Sequence, residues 1–162
     1  MTGWTERAGR CVGALALVGV ATLGLSGCGG DSSDTATAGM ALDWVFTPEP
    51  ATAVASAEDG FDWTVPYRVT LTETGGQGGS ITDVTVNVYE AVDGEPGAEA
   101  TSAESSLEYQ SNRIDARATV ALDFDTNYTL PNGGTAAIVD VFLFLVDDDG
   151  RNAQIGKRLL VQ

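Results

Sequence analysis

Between residues 61 and 72, apolar and polar side chains alternate without a break. Phe61, Trp63, Val65, Tyr67, Val69 and Leu71 stand against Asp62, Thr64, Pro66, Arg68, Thr70 and Thr72. A period of two puts one set on each face of a strand, leaving one face for a core and one for water. Pro66 falls in the outward set. Because it has no N–H to donate, it points to an edge position or a bulge. Val84, Val86 and Val88 repeat the pattern against Thr85, Asn87 and Tyr89. So do Ile114, Ala116, Ala118, Val120, Leu122 and Phe124, against Asp115, Arg117, Thr119, Ala121 and Asp123. Ala136 to Val146 is apolar on both faces apart from Asp140, the pattern of a central strand.

Further strands are expected at Leu42–Phe46, near Ser106–Gln110 and from Gln154 to Val161. No segment shows a sustained helical period with caps. The connectors are turn-like: Gly75–Gly79, Asp93–Gly97, Pro131–Gly134 and Asp147–Gly150. Glycine permits the positive φ angles of tight turns, and Asp and Asn bond their own backbone there. Six or seven short strands in about 120 residues favour a β-sandwich. In length and rhythm this region resembles the immunoglobulin-like and fibronectin-type modules of exported bacterial proteins. The expected fold is therefore all-β, a single immunoglobulin-like β-sandwich of about seven strands over residues 42–162. The Cys–Trp–Cys core signature is missing, and Trp63, on the inward set, is the candidate core tryptophan.

The first 28 residues carry a different message. Arg7 and Arg10 precede a fifteen-residue run without charge, Cys11 to Leu25. A basic head and a short apolar run form the secretory signal pattern, and about 20 residues would be needed for a permanent span. The run ends in Leu25-Ser26-Gly27-Cys28, which resembles the lipobox of bacterial lipoproteins. That resemblance implies a diacylglyceryl group on the Cys28 sulfur, cleavage between Gly27 and Cys28, and an acylated (often palmitoylated) new N-terminus. Residues 1–27 are then a removed signal peptide. Residues 28–41 form the lipidated cysteine and a linker, rich in Gly, Ser, Thr, Ala and Asp, whose composition reads as disordered. The expected location is exported and lipid-anchored to the cell membrane, at the outer membrane where the cell has two. Cys11 leaves with the signal, so the mature chain holds one cysteine and no internal disulfide.

Composition narrows the chemistry. The chain has 8 basic and 23 acidic residues and no histidine. With the two arginines and one glutamate of the signal removed, 6 basic and 22 acidic residues remain. Such a surface repels a phosphate backbone, so nucleic acid is not an expected partner. Without histidine no Ser-His-Asp or Cys-His set exists, and Lys157 is the only lysine. The loop Gly75–Gly79 lacks the Lys-Ser/Thr ending of a phosphate loop. No cofactor is expected.

Three constellations have both a chemical and a plainer reading. Asp147 and Asp149, in Asp147-Asp148-Asp149-Gly150, are a weak calcium candidate, because no acid follows near the twelfth loop position. A hairpin turn explains the same residues. Asp123 and Asp125 are the minimum for glycoside hydrolysis, but a solvated sheet face accounts for them. Trp44, Trp63, Phe142 and Phe144 could stack on carbohydrate, although Trp63 and Phe142 are more readily read as core and Phe144 less so.

The expected function is a non-catalytic, membrane-anchored binding or adhesion module, with an envelope protein or glycan as partner and the lipid on Cys28 as membrane contact. The alternative is a structural or accessory subunit of a cell-envelope complex, which an unpaired edge or apolar patch would favour. A hydrolytic enzyme is the least favoured reading. The loops Gly75–Gly79 and Asp93–Gly97 are the expected contact points.

Overall fold

The computed structural model describes residues 39–109 and 111–162; the signal, the lipobox and most of the linker lie outside them. Among the described residues, ten strands form in chain order: β1 (Leu42–Thr47), β2 (Val54–Ala55), β3 (Trp63–Glu73), β4 (Gly79–Val92) and β5 (Glu95–Glu99), followed by β6 (Ser102–Tyr109), β7 (Arg113–Ile114), β8 (Thr119–Thr129), β9 (Ala137–Asp147) and β10 (Asn152–Val161). The seven longest are the expected seven. They make two antiparallel sheets, one ordered β1-β3-β8-β6 with β2 on β3, the other β10-β9-β4-β5 with β7 on β4. In immunoglobulin lettering these orders are A-B-E-D and G-F-C with C′ added. The expected immunoglobulin-like sandwich is the observed one.

The alternation does what its period dictates. Val65, Tyr67, Val69 and Leu71 of β3 are buried while Pro66 and Arg68 are exposed. Leu122, Phe124 and Tyr128 of β8 lie beside them on the same inner face, and Val139, Val141, Leu143 and Leu145 of β9 join the core from the other sheet. An aromatic row crosses the inner face of the first sheet. The rings of Trp44 and Phe46 lie 5.8 Å apart, Phe46 meets Tyr67 edge-on at 5.8 Å, and Tyr67 stacks on Phe124 at 5.0 Å. The hydroxyl of buried Tyr128 donates to the Thr135 carbonyl at 2.6 Å, holding the turn into β9. Burial pushes its pKa up to about 12.

Four expectations need correction. The segment Ile114–Phe124 is not one strand. Ile114 ends β7 against Gly79 of the second sheet, and β8 of the first sheet starts at Thr119. Between them Arg117 takes φ +59°, which a continuous strand cannot contain. Second, β3 is a central strand, so Pro66 is not on a sheet edge in the ordinary sense. It nevertheless falls in a gap, because β1 pairs with residues 68–73 and β2 with residues 63–64. Third, Phe142 is not in the core but lies with Phe144 on the outer face of β9, both half-buried, opposite the inward set. Phe142 covers Gly156, where an added Cβ would sit 2.7 Å from the ring. Fourth, Val84–Val88 is part of a fourteen-residue strand. A bulge between Ile81 and Asp83 shifts the phase, so that Ile81 and Val84 share the inner face despite their spacing.

One lateral seam of the sandwich is stitched. Ala51 bridges in parallel to Val161, with Ala51 N–H donating to Leu160 O and Gln162 N–H to Ala51 O, each at 2.9 Å. Lys157 turns inward on edge strand β10, donates to Trp44 O at 3.0 Å and lies 5.6 Å from the Phe46 ring centroid.

The end of the sandwich where β3 runs out is organised by a carboxylate. Glu73 is 1% exposed. Its Oε1 accepts from Gly75 N–H at 2.7 Å and Ala41 N–H at 3.2 Å. Its Oε2 accepts from Gly76 N–H at 2.8 Å and Arg117 N–H at 2.9 Å. Burial alone would raise this carboxyl, yet the four backbone donors together hold it below the usual range. The charged form is therefore part of the fold. Glu73→Ala should cost about 3 kcal/mol in denaturant melts, since four N–H groups lose their acceptor. Because the folded pKa is depressed, the stabilisation is complete above the ordinary carboxylate range and is lost as pH falls through the folded value. The gap in melting temperature between wild type and Glu73→Gln should be widest near neutrality and shrink below about pH 4.

Candidate functional site

The sequence candidates are scattered by the fold. Cys28 and Gly27 lie outside the described residues. Asp147, Asp148 and Asp149 form the β9–β10 hairpin turn, with Gly150 at φ +79°. Asp147 Oδ1 accepts from Asp149 N–H at 3.0 Å and Arg151 N–H at 2.8 Å, so the side chain shapes its own turn. Asp148 forms a two-point pair with Arg113, which also reaches Asp115 at 3.1 Å. The Arg113 guanidinium holds the Asp148 carboxyl below its ordinary value. Asp149 meets Arg151 at 3.1 Å. Asp148 thus goes to Arg113, while Asp147 and Asp149 both meet Arg151. Among the described residues, no group of three or more acids and cysteines is placed to hold a metal.

Asp123 and Asp125 share the outer face of the first sheet. Asp123 lies opposite Arg68 in register and receives it at 2.6 and 2.9 Å, which keeps its carboxyl below the usual range. Asp125 stands opposite Pro66. The four aromatics do not form a platform either. Trp44 is in the core, Trp63 is packed against it, and Phe142 and Phe144 are on the far face of the other sheet.

The two expected contact loops differ in kind. Gly75–Gly79 is tied down, since Gly75 and Gly76 donate to Glu73 while Gly78 and Gly79 are buried. It is a structural corner, and shortening it would dismantle the Glu73 cage. Asp93–Gly97 holds the exposed turn of the β4–β5 hairpin, where Asp93 and Gly94 both have positive φ, the signature of a type I′ turn.

The feature that sequence reasoning missed is a groove of about 410 Å³ between β4 and β6. Ile81, Val84, Val86, Leu107 and Phe124 form its apolar lining, and Tyr109, 52% exposed, stands at one end. Ser105 also lines it, hydrogen-bonded to buried Thr126 at 2.8 Å, which in turn meets Tyr67 OH at 3.3 Å. Asp83 and Glu104 supply the charge on its lips, and no basic residue lines it. The only hint in the sequence was that β6, which lies across from Val84 and Val86 in the other sheet, is poor in apolar residues.

The groove offers shape, apolar surface and negative charge. Melting curves should test the hairpin reading of the aspartates. Millimolar calcium should leave the transition unmoved, and Asp147→Ala should lower stability by about 2 kcal/mol through loss of the turn bonds. Comparison with known proteins finds no matching family model and no match among curated proteins.

Proposed function

We propose that this chain is an exported lipoprotein, anchored through Cys28, whose immunoglobulin-like sandwich is a non-catalytic binding module for a partner at the cell envelope. The anchor rests on Leu25-Ser26-Gly27-Cys28 after a basic head and an apolar run. The binding reading rests above all on the groove between β4 and β6, a concave apolar strip with acidic lips. Reactive groups are few. The chain lacks histidine, and its one lysine, Lys157, is engaged by Trp44 O and the Phe46 ring.

A second reading, an accessory subunit of an envelope complex, draws on the large apolar side chains left outside. Val45, Val54, Val92 and Tyr109 are each more than half exposed. They lie on different strands or at their ends, so they suit several small contacts better than one broad interface.

Two measurements test these proposals. Mass spectrometry of the membrane fraction should find a lipid-modified N-terminus at Cys28, and Cys28→Ala should accumulate as uncleaved precursor. Normal maturation of that variant would remove the lipoprotein reading. Capture of partners from detergent-solubilised membranes should yield a protein or glycan retained by the wild-type domain. A domain that retains none, but hydrolyses a glycan or ester, would be an enzyme instead.

A further inference from the structure

The geometry points to strand addition: the open edge of β4 at Thr82–Asn87 takes an extended peptide from another protein, with alternating apolar and basic residues. This inference rests on the binding-module reading and names the surface and the chemistry of the ligand. Both ends of the open stretch are closed by the chain itself. At one end β7 pairs with Gly79 and Ser80, and Ile81 N–H donates to Asn112 O at 2.8 Å. At the other, Ala100 N–H donates to Val88 O at 2.9 Å and β5 continues from Tyr89. Among the described residues, no strand pairs with Thr82–Asn87 on the side away from β9. Six residues of edge remain, framed and of fixed length.

The backbone of that edge is aimed outward. Successive residues of a strand direct their N–H and C=O groups to opposite sides. Since Val88 O accepts from the open side, Val84 and Val86 direct their backbone groups the same way. Val84 N–H is covered by the Asp83 carboxylate of its own chain at 2.8 Å. A charged side chain laid over an edge is a common guard against unwanted pairing. The side chains of Val84 and Val86, meanwhile, turn into the groove. An added strand would hydrogen-bond to the edge and bury every second side chain between Val84, Val86 and Leu107, the arrangement by which extended peptides extend a sheet.

Charge selects the occupant. The lips carry Asp83 and Glu104, and no cation lines the groove. The chain as a whole has a net charge of −15. A second copy would bring the same acidic surface to the edge and be repelled. The chain's own residues 29–38 contain two aspartates and no apolar side chain larger than alanine, so they fit neither the lips nor the floor. A strand with apolar residues inward and Lys or Arg outward satisfies both.

The test uses the mature-length domain and four fluorescent heptapeptides read by anisotropy. One alternates valine and lysine, one alternates valine and glutamate, and two are the lysine peptide N-methylated either on the residues that would face β4 or on the opposite set. The lysine peptide should bind and weaken as salt rises, the glutamate peptide should not bind, and N-methylation should abolish binding. N-methylation on the opposite set should leave it intact. Glu104→Lys, a surface change, should weaken the lysine peptide roughly tenfold while the melting temperature holds. Val86→Asp, checked for folding by circular dichroism, should weaken it further. Binding that is indifferent to N-methylation and to Val86→Asp would be plain charge attraction and would overturn the proposal. Self-association of the domain that Val86→Asp abolishes would make a second copy the occupant and overturn it too. If a membrane partner is captured equally by wild type and Val86→Asp, the module still binds, but not at this edge. If neither captures anything, the binding reading itself has failed.

Discussion

A buried carboxylate with four backbone donors holds one end of this sandwich together. Glu73 ends the central strand of the first sheet, and its two oxygens collect the N–H groups of Ala41, Gly75, Gly76 and Arg117. Three separated pieces of chain are thereby fixed at one point: the entry to β1, the crossing from β3 to β4, and the corner between β7 and β8. Each piece contributes a backbone N–H to a carboxylate that is itself buried, where an unpaired charge would be costly. An uncharged side chain of the same shape could accept fewer of these bonds, so the corner depends on ionisation as well as geometry. The positive φ angles of Gly76 and Arg117 follow from the need to point their N–H groups inward at this acid.

The sheets themselves were legible because their period is simple. β3 and β9 could be assigned from alternation and from an unbroken apolar run, and their central positions explain both patterns. The sequence was silent where a single residue changes the phase. The bulge at Ile81 to Asp83 hides β4's true length, because Ile81 and Val84 are an odd number of residues apart yet face the same way. Arg117 breaks an apparently continuous alternation, since Ala116 and Ala118 are small enough to read as inward without being buried as strand residues. Phe142 misled for a different reason. On a strand flanked by β10 and β4, an aromatic residue can be half-covered from outside by packing over a glycine such as Gly156.

The candidate site was less legible than the fold. Reactive sets and turn loops have local signatures in a sequence. Of the candidate aspartates, Asp147 is engaged by its own turn and Asp148, Asp149 and Asp123 by arginines, while Asp125 stands opposite Pro66. The groove has no such signature. It arises because β5 and β7 are too short to cover β4 fully, and because β6 lies across from it in the other sheet. Which edge of a strand stays open is a property of pairing between distant segments, and no run of residues encodes it locally. Charged side chains on the outer faces, paired or not, keep the rest of the surface wet; exposed ion pairs of this type add little stability.

The stitched seam has a kinetic consequence. Trp44 and Lys157 are 113 residues apart, and Ala51 meets Val161 across a similar separation. A polypeptide made or threaded from its first residue onward can form the β3–β8 and β4–β9 pairs only after long loops close, and the seam last of all. Loop-closure entropy is lost before such distant contacts repay it, so folds of this kind assemble slowly. Strand β1 can lie on β3 early, but its far side has no partner until β10 emerges. The seam therefore closes only when the segment that carries β10 turns back on the one that carries β1.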